Sequence, residues 1–196
     1  MEKYYARYIG EIKSILEGMI VTDRSGQVVD NDEGLIRWAQ KAKKVRDEDN
    51  GCIFFAGNGA SATMAEHFSH DCFQNARITT FTSSETAHLT AIGNDLSFEH
   101  IFSCRVERLL SVNDVLVTIS SSGNSPNIIK AIEVARKKEA FVITLSGKSH
   151  DNKSRSMGDL NFYIPGDKYG LVESAHAVLL HCWLDLFLDM YMGGRH

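Results

Sequence analysis

DVLVTISSSGNSPNIIKAIEVARKK, residues 114–138, decides the fold. Its first part, Asp114 to Ser120, is a short apolar run of the kind a doubly covered strand needs. Its last part reads as a helix over 126–138. Pro126 suits the first helical position and Ser125 the cap before it. Between them lies a loop crowded with hydroxyls.

Working outward, the same order of strand, loop and helix recurs. CIFFA at 52–56 is a strand, GNGAS at 57–61 a turn, and a helical pattern runs to about 75. RITTFT at 77–82 is another strand, followed by a loop and a helix over 97–110. AFVITLS at 140–146 and LNFYIP at 160–165 complete five strands, and a long helix over 169–192 closes the chain. Such alternation predicts a three-layer α/β sandwich, a five-stranded parallel sheet flanked by helices. Ahead of it, residues 1–20 carry apolar side chains at helical spacing, from Tyr5 to Met19. Thr22–Gly34 reads as a polar turn, and a second helix over 31–48 turns Leu35, Trp38, Ala39, Ala42 and Val45 inward. The expected organisation is an N-terminal helical arm over 1–50 that packs in an oligomer, one domain over 51–192 and a frayed tail at 193–196.

Composition narrows the function. The chain has 196 residues and a formal net charge of −4, which argues against a nucleic-acid binder working through a strongly basic surface. Cys52, Cys72, Cys104 and Cys182 form no CxxC pair, so a reducing cytoplasm is the expected compartment. MEKYYARYIGEIK lacks the apolar core of a signal peptide. The apolar stretch Ala177 to Met192 is interrupted by His181, Asp185 and Asp189, and reads as a buried helix rather than a membrane span.

Two loops carry the chemistry. In Gly57-Asn58-Gly59-Ala60-Ser61 the glycines allow a sharp turn and close approach to a ligand. A plain turn with Ser61 as helix cap is the competing reading. In the second loop, Ser120, Ser121, Ser122 and Ser125 exceed what capping requires. Hydroxyls and backbone N–H groups together suit a phosphate monoester. Neither loop has a GxGxxG or GxxxxGK[ST] pattern, so a small phosphorylated metabolite is expected rather than a dinucleotide. Strand-end loops of one parallel sheet converge on its carboxyl edge.

The ionisable candidates lie on two helices. His67 and Asp71 are four apart and share a face. Glu173 and His181 are eight apart and point within about 80° of each other. His181 interrupts an apolar run, where Asp185 one turn on is a structural partner for a buried imidazole. His176, His88 and His100 read as ordinary helix histidines. Two such helices facing one cleft also suit a site for Zn²⁺ made of two imidazoles and two carboxylates.

GNGASATMAEHF, AIGNDLSFEHIF and ISSSGNSPNIIKAIEVARKKEAFVITLSG resemble the sugar isomerase (SIS) domain, most closely its sedoheptulose 7-phosphate (phosphoheptose) isomerases. The resemblance spans about residues 51–190. It implies a phosphosugar aldose–ketose isomerase, a homotetramer with active sites between subunits. It implies phosphate binding on Ser120, Ser121, Ser122 and Ser125, with Asn58, Gly59 and Ser61 lining the pocket and Asp95 near the sugar hydroxyls. It also implies metal ligation by His67, Asp71, Glu173 and His181, with Asp71 and His181 as acid and base. The chain departs from the pattern at four places. Asp71 stands for the usual Glu, Glu173 for Gln, Gly170 for an active-site Asp, and Ala60 for the second glycine of GNGGS. A DiaA-like, non-catalytic phosphosugar or protein binder is the alternative, as is an isomerase of another phosphoketose. A sugar-phosphate-sensing transcription regulator needs a DNA-binding segment, for which the first 50 residues have neither length nor charge.

Overall fold

The computed structural model describes residues 3–48 and 50–194; Met1, Glu2, Asp49, Arg195 and His196, and with them half of the expected frayed tail, lie outside the description. The expected parallel strands are all present. They are β3 (Ile53–Gly57), β4 (Thr80–Phe81), β5 (Val115–Ser120), β6 (Phe141–Gly147) and β7 (Leu160–Ile164). Thr22–Gly34 is more than a turn, because two short strands, β1 (Ile20–Asp23) and β2 (Val28–Val29), form a hairpin around it. β1 pairs antiparallel with β7, giving the sheet order β2-β1-β7-β6-β5-β3-β4. Asp23 tightens the hairpin by accepting the backbone N–H groups of Ser25 and Gln27.

Helices α1 (Tyr4–Glu17), α2 (Asn31–Asp47), α3 (Ala60–Gln74), α6 (Pro126–Lys137) and α7 (Tyr169–Tyr191) match the expected segments. The stretch expected as one helix over 97–110 is broken. It holds a 3₁₀ turn at Phe98–His100 and then α5 (Ser103–Leu109), and the stretch expected as a loop before it holds a separate helix, α4 (Thr86–Asp95).

The strands are buried along their length because helices cover both faces of the sheet. One core lies under α2, α3 and α7 and includes Trp38, Phe55, Phe68, Phe162, Trp183 and Phe187. The other lies under α5 and α6 and includes Phe54, Phe102, Val106, Leu116, Ile128 and Ile132. Trp38 of α2 stacks on Trp183 of α7 with ring centroids 4.2 Å apart, so residues 20–47 share the core with the rest of the domain. α7 is long and apolar enough by composition to cross a membrane, yet its apolar stripe, from Leu171 to Leu188, is buried against the sheet and α2.

Candidate functional site

β3 and β5 are parallel neighbours, with Gly57 opposite Ile119, so their loops leave the same edge of the sheet side by side. The serine loop turns on Gly123, whose φ of +62° is a conformation glycine adopts without a Cβ clash. The Gly123 N–H donates to both the carbonyl and the hydroxyl oxygen of Ser120. Ser122 Oγ accepts from the Asn124 N–H at 3.3 Å. The hydroxyls of Ser120 and Ser122 are therefore partly spent on the loop itself. Ser125 sits at the cap position, as expected, but its hydroxyl caps nothing. The Ser121 and Ser125 hydroxyls have no hydrogen-bond partner among the described residues, and α6 opens beneath them, where Pro126 has no N–H and those of Ile128 and Ile129 bond to the Ser125 carbonyl, which leaves the Asn127 N–H.

Behind this loop stands Asn152, buried, on the segment after β6. Its Oδ1 accepts from Ser154 Oγ at 3.2 Å and from the Arg155 N–H at 3.1 Å. Its Nδ2 donates to the carbonyls of Gly147 and Ser149. The Ser154 N–H donates to the Gly123 carbonyl at 3.0 Å, and the Lys153 N–H to Asn124 Oδ1 at 3.0 Å. The loop is thus braced from the rear by backbone rather than by long charged side chains. The ammonium of Lys148, just past β6, lies 3.7 Å from the centre of the Tyr169 ring.

In the first loop, Gly59 holds φ +57° and is itself the cap of α3. Ser61 is not the cap, contrary to the turn reading; it is the second residue of the helix and is buried. Ala60 opens α3, a position where alanine is the better helix former, so its replacement of glycine is accommodated. Both polar ends of the Asn58 side-chain amide are paired with Asn127, at 2.9 Å each. Asn127 was not singled out from sequence. Its signal was there: it falls on the stripe 127, 128, 131, 132 and 135, which is otherwise apolar and buried.

The ionisable residues gather where α3 meets α7. His67 Nε2 lies 3.3 Å from Asp71 Oδ2. The His67 and His181 rings are 5.6 Å apart, edge to face, and Phe68 packs 4.7 Å from His181. His181 is exposed on this face rather than buried, and no hydrogen bond joins it to Asp185. The reason is periodicity. Val178, His181, Cys182, Asp185 and Asp189 form the exposed stripe of α7, while His176 lies on the buried one. His176 is fully buried, with Nε2 3.2 Å from the Ser146 carbonyl oxygen. Burial drives its pKa down to about 4, against the smaller opposing effect of that hydrogen bond. Burial, and then the adjacent Asp71 carboxylate, pushes the Cys72 thiol far above its usual range, so it is an inert core side chain.

Glu173 stands apart from this cluster. It lies two turns nearer the start of α7 than His181, about 12 Å along the axis. His67 and Asp71 lie about 10 Å and 16 Å beyond the start of α3. Since α3 and α7 both start at the carboxyl edge of the sheet, Glu173 is level with the serine loop and the other three lie deeper. Two imidazoles and a carboxylate suit Zn²⁺ by donor type. Among the described residues, however, no three His, Cys, Asp or Glu side chains close on a common point. Asp95 ends α4, exposed, and accepts from the Asn94 side chain. Gly170 leaves room for a side chain, where a Cβ would meet only the Tyr8 hydroxyl at 3.2 Å.

The family model of the SIS domain matches residues 8–147. Phosphoheptose isomerase from Azoarcus sp. (strain BH72) is 34% identical over 145 residues, covering 70% of this chain and 74% of that protein. The enzyme of the same name from Helicobacter hepaticus is 37% identical over 145 residues, covering 71% and 74%. This chain belongs to the phosphoheptose isomerase family of SIS-domain proteins. The solved structure of phosphoheptose isomerase GmhA from Neisseria gonorrhoeae superposes on this SIS domain with a TM-score of 0.79 at 29% identity, covering 94% of this chain and 95% of that one. The family match begins inside α1, so the SIS domain takes in the β1–β2 hairpin and α2.

Proposed function

We propose that the protein is an aldose–ketose isomerase that interconverts sedoheptulose 7-phosphate and D-glycero-D-manno-heptose 7-phosphate through a cis-enediol. The observation that carries this reading is the pairing, in one fold, of a neutral hydroxyl-lined loop at a helix N-terminus with a His67–Asp71–His181 cluster. The free hydroxyls of Ser121 and Ser125 and the Asn127 N–H of α6 take the phosphate. Gly59 and Ser61 of the neighbouring loop approach the sugar. Neutral donors bind a dianion without a competing fixed charge, and the binding energy of this remote group is available at the reacting carbons.

The chemistry moves protons only. A base takes a proton from C1 of the ketose while the C2 carbonyl oxygen gains one, which leaves the enediol. The O1 proton is then withdrawn and C2 is protonated, giving the aldose. Asp71 and His181 share these transfers, and His67 holds Asp71 in place. Both are at least partly exposed to the space where a substrate must enter, which general acid–base groups require.

Asp71 and His181 lie about 16 Å and 18 Å along their helices from the sheet edge that carries the serine loop. We read that offset as a site shared between subunits, one supplying the loop and Glu173 and another His67, Asp71 and His181; the assembly expected is a cytoplasmic homotetramer. By donor type the same division would offer Zn²⁺ His67, Asp71 and His181 from one subunit and Glu173 from the next, although within one chain the first three do not close on a common point. When bound, the metal polarises a carbonyl or enediolate oxygen. Purified protein is expected to carry zinc by elemental analysis, and His67→Ala to carry little.

The deciding experiment is proton exchange at C1 of sedoheptulose 7-phosphate in D₂O. Wild type is expected to wash deuterium in, and His181→Ala to lose at least about 100-fold of that rate while still binding the ester. An unchanged rate in His181→Ala refutes the acid–base assignment. No exchange in wild type, with several phosphoketoses, leaves a non-catalytic phosphosugar binder.

A further inference from the structure

Asn127 is the second residue of α6 and is 1% exposed. Asparagine is a weak helix former because its amide competes with the backbone, and a buried amide has to be satisfied. This one is. Its Nδ2 donates to Asn58 Oδ1 at 2.9 Å. Its Oδ1 accepts from Asn58 Nδ2 at 2.9 Å and from the Ile128 N–H at 3.0 Å. The two amides form a closed, reciprocal pair across 69 residues of chain. The Asn58 carbonyl meanwhile accepts the Ser61 N–H at 3.0 Å, so Asn58 is held at both ends. The strand pairing of β3 with β5 stops at Gly57 and Ile119. Beyond it, among the described residues, this amide pair is the hydrogen-bonded link between the GNGAS loop and the start of α6.

We infer that Asn127 is a positioning residue for the reaction: it sets the spacing between the loop that holds the phosphate and the loop that meets the sugar. The inference rests on the isomerase reading. It also narrows the role of Asn58, whose amide keeps one N–H and one lone pair for a ligand. Two rigid loops clasped in this way hold a sugar phosphate in register, and a misplacement of about 1 Å is enough to slow a reaction severely.

The test compares a ligand that touches one loop with a ligand that touches both. Inorganic phosphate is titrated against Asn127→Ala, Asn58→Ala and the double variant, beside KM and kcat for sedoheptulose 7-phosphate. In Asn127→Ala the phosphate Kd is expected to stay within about twofold of wild type, while kcat/KM for the ester falls about tenfold or more. The double variant is expected to be no worse than the poorer single one, because one shared contact is lost only once. Parallel weakening of phosphate and ester, or additive losses, overturns the inference. If Asn127→Ala does not fold, Asn127→Ser, which stays neutral and keeps an oxygen near the Ile128 N–H but is too short to pair with both ends of the Asn58 amide, is measured in the same way. If wild type binds phosphate but does not turn the sugar over, the isomerase reading fails; the ester's Kd then replaces KM, and the same comparison still decides the role of Asn127.

Discussion

Gly123→Ala is expected to destabilise the protein by about 3–5 kcal/mol, for two separable reasons. The first is backbone. At φ +62°, a residue with a Cβ is strained by about 1–2 kcal/mol. The second is space. The new methyl would lie 1.9 Å from Asn152 Oδ1, with the Asn152 Cγ only 2.3 Å away. Asn152 is buried and cannot swing aside without giving up its bonds to Ser154, Arg155, Gly147 and Ser149. Even if half of these four are rebuilt, the loss is about 2 kcal/mol at roughly 1 kcal/mol per bond, and about 3 kcal/mol if only one is. Urea denaturation at fixed protein concentration reads the sum as a drop in midpoint of at least about 1 M. Asn152→Ala in the Gly123→Ala background removes the obstruction, so the double variant is expected to be more stable than the two single losses added together. A Gly123→Ala protein within about 1 kcal/mol of wild type refutes the argument, because the backbone and packing contributions together exceed that.

Two further outcomes follow from the site and the core. His181→Ala and Ser121→Ala/Ser125→Ala are each expected to be nearly inactive, yet mixed oligomers reassembled from equal amounts should regain activity at about a quarter of their sites; no recovery means that each site is built by one chain. His176 binds a proton in the unfolded chain near pH 6.5 but in the folded one only near pH 4, so its contribution to stability is present above about pH 6.5 and is lost as pH falls toward 4. The loss is roughly 3 kcal/mol, and His176→Gln should flatten the stability profile across that window in pH-resolved denaturation, whereas an unchanged slope assigns the titration elsewhere.

Most of the sheet was legible because β3, β5 and β6 are mostly apolar, buried runs ended by glycine or serine. β1 and β2 were not, because Ile20–Asp23 and Val28–Val29 are too short to stand out, and β1 is fixed by pairing with β7 nearly 140 residues away. α4 was missed because Thr86–Asp95 buries none of its side chains, so it carries no clear apolar stripe. In the site, loop composition pointed to Ser121 and Ser125, and i, i+4 spacing to His67 and Asp71. The exchange of His181 for His176 as the buried imidazole came from reading an apolar neighbourhood without following the stripe. How far His181 and Asp71 stand from the sheet edge depends on where α3 and α7 start, which no local pattern encodes.

The stack of Trp38 on Trp183 has a practical consequence. The chain contains two tryptophans, and both are in that stack. All of its indole fluorescence, and any exciton signal in the circular dichroism, therefore originates at the joint between α2 and α7. An optical melt of this protein watches that single seam come apart, and a change at the phosphate loop stays dark to it unless the disturbance travels down α7.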